Sequence, residues 1–132
     1  MKRFLIVDDD LLGLTVLRDF LSEFAQCDGA QNGKVAYEMF EKAVIDGKPY
    51  NLICSDVFMP GMDGHELIRK IRDREASLPI QGILRTVIFM ISASGSPGDM
   101  THAILDNDCD DYVVKPFQRE QVKWLLEKYN LL

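Results

Sequence analysis

Short apolar runs alternate along this chain with stretches whose apolar residues recur every three or four positions. Phe4–Val7 is an uninterrupted apolar run, the pattern of a strand buried on both faces. Leu14, Leu17, Leu21 and Phe24 follow at helical spacing, and Asp10 stands where an N-cap belongs. Gln26–Ala30 reads as a weak strand ending at the turn signal Asn32-Gly33, and Ala36, Met39, Phe40 and Ala43 mark a second helix. Leu52–Cys54 is a third strand tipped by Ser55-Asp56. The turn-rich loop VFMPGMDG leads from it to a helix carrying Leu67, Ile68 and Ile71. Thr86–Ile91 is a strongly apolar strand ending at Ser92, SGSPGD reads as a loop, and Met100–Leu105 as a short helix. Tyr112–Val114 is a fifth strand ending at Lys115-Pro116, and Val122, Leu125, Leu126 and Tyr129 give the last helix its apolar face.

Five β–α units with continuous apolar strands predict a parallel sheet covered on both faces. The expected architecture is a flavodoxin-like, doubly wound α/β domain of three layers. Its strand order is 2-1-3-4-5, within one domain spanning residues 1–132.

Composition narrows the function. The chain has 132 residues and a formal net charge of −6, which argues against a basic nucleic-acid-binding face. No apolar run approaches the roughly 20 residues of a membrane span, nor the core of a signal peptide, so a cytoplasmic location is expected. Cys27, Cys54 and Cys109 are scattered and odd in number, as reduced thiols are, and His65 and His102 have no partner at ligand spacing.

The predicted fold gathers the chemistry. In such sheets ligands bind at the carboxyl ends of the strands. Asp8 and Asp9 end the first strand, Asp56 the third, Ser92 the fourth and Lys115 the fifth. Two like charges about 4 Å apart repel by about 4 kcal/mol at an effective dielectric of about 20, so this many acids on one rim need a cation. Clustered carboxylates suit Mg2+ (or Mn2+), Lys115 suits a phosphate oxygen, and the Ser92 hydroxyl can donate to another. The combination points to divalent-metal binding beside a phosphoryl group.

These pieces resemble a response-regulator receiver domain of two-component signalling, of the stand-alone, chemotaxis-regulator-like kind. The matching segments are VDDD, Asp56 before VFMPGMDG, the serine of MISAS, and DDYVVKPF, in the family's order and across nearly the whole chain. The resemblance implies that Asp56 accepts a phosphoryl group from a histidine of a sensor kinase or a histidine phosphotransfer protein. Asp9, Asp56 and the Phe58 backbone carbonyl would hold Mg2+, with Asp8 acting mainly through water. Lys115 would contact the phosphate, Ser92 would move toward it, and Tyr112 would swing inward. Phe58 and Ser94, two residues past Asp56 and Ser92, would set phosphate lifetime. The Lys115–Pro116 bond would be cis. The outcome would be a conformational signal to a downstream protein rather than catalytic turnover.

Several features depart from the family pattern. The span from Asp56 to Ser92 is longer than in compact members, with SLPIQGILRT inserted before the fourth strand; Leu78, Ile80, Ile83 and Leu84 could pack on the helices or face a partner. Asp108-Cys109 replaces the usual small pair, so Asn107 or Asp108 must supply any left-handed residue there. Winged-helix transcription-factor receivers dimerise through charged pairs. Here Asp110 and Asp111 are present, but the matching positions are Thr101, Gln121 and Leu125, so a monomer is expected. The MKRF start and YNLL finish suggest a regulator acting without an output domain.

Two other readings fit less well. A haloacid-dehalogenase-type phosphatase also uses an Asp-x-Asp such as Asp8-x-Asp10, but its lysine precedes the last acid motif, whereas Lys115 follows Asp110 and Asp111, and there is no room for a cap. An FMN carrier needs a hydroxyl- and glycine-rich loop where this chain has three acids. A receiver-like module that binds partners without accepting phosphate is the remaining alternative.

Overall fold

The computed structural model describes residues 2–78, 85–93, 96–106 and 108–132. Ser94, Asn107, Ile80, Ile83 and Leu84, all singled out above, lie outside the described residues.

Five parallel strands form one sheet in the order β2-β1-β3-β4-β5. They are β1 (Arg3–Val7), β2 (Gln26–Ala30), β3 (Leu52–Asp56), β4 (Val87–Ser92) and β5 (Asp111–Val114). Side chains along a strand alternate between faces, and the sequence exploits this on both sides. Leu5, Val7, Ile53, Ile88 and Met90 point one way, against α2 (Gly33–Ile45) and α3 (Gly64–Ala76). Phe4, Ile6, Leu52, Phe89, Ile91 and Val113 point the other way, against α1 (Leu11–Leu21) and α5 (Arg119–Lys128). The result is the expected three-layer sandwich. Leu14, Leu17 and Leu21 are the buried stripe of α1, and Val122, Leu125 and Leu126 that of α5.

The helices begin where their caps are. Asp10 accepts from Leu12 N–H, Asn32 from Val35 N–H and Asp63 from Glu66 N–H. One segment departs from the sequence reading. The loop assigned to SGSPGD ends early, because Ser96 caps a helix that starts at Pro97. Proline is well suited to the first helical position, and Ser is a strong cap, so these turn formers start a helix here. This helix, α4, covers Pro97–Thr101 and passes into a π-helical stretch, His102–Asp106, instead of a helix centred on Met100–Leu105. Cys109 N–H bonds back to Ala103 O, and Asp108 takes the left-handed conformation at φ 59°. The Lys115–Pro116 bond is cis.

Candidate functional site

Parallel strands end together, so β1, β3, β4 and β5 deliver Asp8, Asp56, Ser92 and Lys115 to one rim. The Asp8, Asp9 and Asp56 carboxylates each place an oxygen within 4.8 Å of the others. Among the described residues this is the one set of three such ligands that lies that close. An oxygen-only, carboxylate-rich donor set of this size fits a hard divalent cation.

Lys115 is shared between two of the acids. Its Nζ lies 3.2 Å from Asp8 Oδ2 and 3.6 Å from Asp56 Oδ2. Asp8 is buried and also accepts the Asp10 N–H at 2.9 Å, while Asp9 is exposed. Burial draws the Lys115 ammonium down, and the carboxylates of Asp56 and Asp8 more than reverse this, so its pKa ends above the ordinary value. Asp56 goes the same way for a different reason. Burial raises its carboxyl most and Asp8 raises it further. Lys115 and the N–H groups of Phe58 and Val57 pull down without restoring the ordinary value. One ammonium cannot neutralise two neighbouring carboxylates, and the site stays short of positive charge.

Two glycines make this approach possible. A Cβ on Gly13 would lie 2.8 Å from Asp8 Oδ2, and one on Gly64 would lie 2.3 Å from the Asp56 carbonyl oxygen. Gly64 N–H also closes the loop after β3 by donating to Val57 O at 2.8 Å. Neither glycine was singled out by sequence; Gly13 stands three residues past Asp10 in DDDLLG, and Gly64 directly follows the helix cap Asp63 in MDG.

Ser92 is fully buried and Tyr112 nearly so. Burial raises the Tyr112 phenol pKa, and a hydrogen bond with Ser92 opposes the rise. The Tyr112 side chain therefore lies against Ser92. Lys115 N–H bonds to Ser92 O at 2.7 Å, which ties the two strand ends together. The Phe58 side chain is 59% exposed. The acids open into a cleft of about 560 Å3 bounded by Leu12 and Val16 of α1 and by Pro116 and Phe117.

A family model described as the response regulator receiver domain matches residues 4–127. The chain belongs to the response-regulator receiver family. It is 33% identical to the two-component response regulator ORR41 of Oryza sativa, over 99% of this chain and 96% of that protein. It is 32% identical to the chemotaxis protein CheY of Listeria monocytogenes, over 97% and 98%. Other relatives are far longer: the match to the hybrid signal transduction histidine kinase L of Dictyostelium discoideum covers 98% of this chain but 7% of that protein. Among solved structures, the chemotaxis protein CheY4 of Vibrio cholerae superposes with a TM-score of 0.82 at 25% identity, covering 100% of this chain and 99% of that one. These relatives make the chain a receiver domain of two-component signalling, with the flavodoxin-like fold. No helix among the described residues is long and apolar enough to cross a membrane.

Asp110 and Asp111 are engaged within the chain. Asp110 pairs with Arg72 at 2.9 Å and with Arg85 at 2.7 Å. Asp111 pairs with Lys128 at 3.3 Å and accepts from the Tyr129 hydroxyl at 3.0 Å. Leu125 is buried in the core.

Proposed function

We propose that Asp56 is the phosphoacceptor of this receiver and that the acid cluster works with Mg2+. The observation that carries this is the position of the Asp56 carboxylate. It ends the central strand β3, 3.6 Å from Lys115 Nζ and grouped with Asp8 and Asp9 at the mouth of the cleft.

In the proposed reaction a carboxylate oxygen of Asp56 attacks the phosphorus of a partner's phosphohistidine. The new O–P bond forms as the N–P bond breaks, and the histidine nitrogen leaves with the electron pair. Lys115 and the N–H groups of Val57 and Phe58 hold Asp56 in its charged, nucleophilic form against the effect of burial. Asp8, Asp9, Asp56 and the Phe58 carbonyl are the groups that would hold the metal, which supplies positive charge against the phosphoryl oxygens. After transfer, Lys115 faces an added phosphate rather than a carboxylate. Ser92 gains a charged acceptor that competes with its bond to Tyr112, and this differential contact is what a two-state signal requires. Phe58, two residues past the acceptor and exposed, would limit water's access to the acyl phosphate.

The wider reading is a signalling phosphoacceptor that acts in the cytoplasm. It takes phosphate from a sensor histidine kinase or a histidine phosphotransfer protein and passes the signal to a downstream protein. The internal ion pairs of Asp110 and Asp111 support a monomer, since neither acid is left to join a charged dimer interface.

Intact mass after incubation with acetyl phosphate and Mg2+ tests the assignment. The expected result is a gain of one phosphoryl group that disappears in Asp56→Asn and on omission of the metal. A gain that persists in Asp56→Asn would place the acceptor elsewhere. No gain in a folded sample that also fails to bind Mg2+ would favour the phosphate-independent interaction module.

A further inference from the structure

Ser55 precedes Asp56 on β3 and is fully buried. Its register partners are Val7 of β1 and Met90 of β4, so it sits in the middle of an apolar sheet. A hydroxyl in such a place needs a hydrogen-bond partner. The one it takes is its neighbour: Ser55 Oγ donates to the carbonyl oxygen of Asp56 at 2.9 Å. We infer that Ser55 is a positioning residue for phosphoryl transfer, which by holding the Asp56 carbonyl sets the peptide after the acceptor and, through it, the acceptor's carboxylate. The inference rests on Asp56 being the phosphoacceptor.

The argument turns on two successive peptide planes. The Asp56 carbonyl and the Val57 N–H belong to one rigid unit and point in opposite directions, so fixing the oxygen end fixes the N–H end. The next unit joins the Val57 carbonyl to the Phe58 N–H in the same way. Both N–H groups hydrogen-bond to Asp56 and favour its charged form. Both planes are held at their oxygen ends. Gly64 N–H donates to Val57 O at 2.8 Å, and the Ser55 hydroxyl does the corresponding work on Asp56 O. Gly64 also crowds that oxygen, since a Cβ there would lie 2.3 Å from it. Crowding limits how far the oxygen can move, and the hydrogen bond gives it a direction.

No other group at the rim does this. Lys115 draws the Asp56 carboxylate from 3.6 Å, but an ammonium is a point charge and does not fix the rotation of the group it attracts. Two N–H donors on fixed planes do. Attack on phosphorus needs a carboxylate oxygen in line with the breaking N–P bond, and a nucleophile held in that orientation reacts faster than one that must find it.

Phosphorylation by acetyl phosphate at saturating Mg2+, followed by intact mass, tests the role in wild type, Ser55→Ala, Ser55→Cys and Ser55→Thr. Circular dichroism checks the fold of each. Ser55→Ala should lower the rate about three- to tenfold, the factor that one neutral hydrogen bond commands. Ser55→Cys fills nearly the same space with a poorer donor and should fall with it. Ser55→Thr keeps the hydroxyl and should restore most of the rate. Amide NMR reads the geometry without phosphate: the Val57 amide should shift in Ser55→Ala and Ser55→Cys and stay near its wild-type position in Ser55→Thr. Wild type that takes no phosphate at Asp56 would sink the phosphoacceptor reading and this role with it. A phosphorylated wild type whose Ser55→Ala and Ser55→Cys variants react as fast, with the Val57 amide unmoved, would overturn the positioning role alone. So would a folded Ser55→Thr as slow as Ser55→Ala, which would make side-chain volume, not the hydroxyl, the cause.

Discussion

Two clusters of carboxylates sit at opposite ends of the same sheet and reach opposite balances. At the carboxyl ends of the strands, Asp8, Asp9 and Asp56 face the one ammonium of Lys115. At the other end, Glu75, Asp108 and Asp110 surround Arg72 and Arg85. The second cluster is filled. Arg72 reaches Glu75 at 2.7 Å and Asp110 at 2.9 Å, and its guanidinium also donates to the carbonyls of Thr86 and Asp108. Glu75 accepts the Thr86 N–H at 2.6 Å, and Asp110 accepts the Ile88 N–H at 2.8 Å. That cluster pins the end of α3 to the starts of β4 and β5. Its acids have partners from the chain, so it needs nothing from outside. The rim cluster lacks positive charge by design of its residues, and a cation or a phosphoryl transfer changes its state. Acidity alone is therefore a poor guide to a site; the shortfall of donors is the better one.

The comparison breaks most visibly at Arg72. Its side chain is 10% exposed, as is that of Glu75, and Asp110 is 13% exposed. Removing one partner from a buried ionic cluster leaves charge without compensation, which typically destabilises by about 3–5 kcal/mol. Arg72→Ala should lower the urea midpoint accordingly, with phosphorylation of the surviving folded fraction intact. A loss below about 1 kcal/mol would show that the arginine is dispensable and that the two clusters differ less than their geometry implies.

At the rim the larger effect comes from backbone rather than charge. A Cβ at position 64 meets the Asp56 carbonyl at 2.3 Å and the Met90 side chain at 2.9 Å. Overpacking of this kind typically destabilises by about 1–3 kcal/mol, and here it also displaces the strand end that carries Asp56. Gly64→Ala should lose stability in that range and phosphorylate more slowly with acetyl phosphate. Full stability together with a wild-type rate would mean that the loop yields without moving the acid.

Much of this contrast was legible in the sequence, and the rest was hidden for identifiable reasons. Asp8, Asp9, Asp56, Ser92 and Lys115 each follow an apolar strand directly, so strand ends could be counted and superposed by topology alone. The alternation of buried runs and helical stripes points to the doubly wound class, and the strand order is one of the two common to that class. The Arg72 cluster had no such marker. Arg72 lies among the charges of RKIRDRE, where only the fold decides which residue turns inward, and no local spacing links Asp110 to its partners Arg72 and Arg85. The start of α4 was missed because Ser, Pro and Gly favour loops and helix beginnings alike.

The smallest and sharpest test of the comparison is pH. Asp56 has a folded pKa raised above its ordinary 3.8, by burial first and then by Asp8. A group of that kind contributes stability that is full below its unfolded value and is lost as pH rises through its folded value. At neutral pH, without metal, the ionised Asp56 thus works against the fold. Asp56→Asn keeps the shape and drops the charge. It should be the more stable protein in urea at pH 7, and its advantage should shrink as pH falls from neutral toward 3.8 and the wild-type carboxyl takes up its proton. In the wild type, although burial lowers the Lys115 value, Asp56 and Asp8 hold it above 10.5, so the lysine stays charged across the window; in the variant Asp8 remains as its partner. Mg2+ at pH 7 should narrow the same gap by giving the rim the charge it lacks. Stability curves for the two proteins that run parallel with pH would mean that Asp56 is as well compensated as Asp110, and the contrast between the two ends of the sheet would fall.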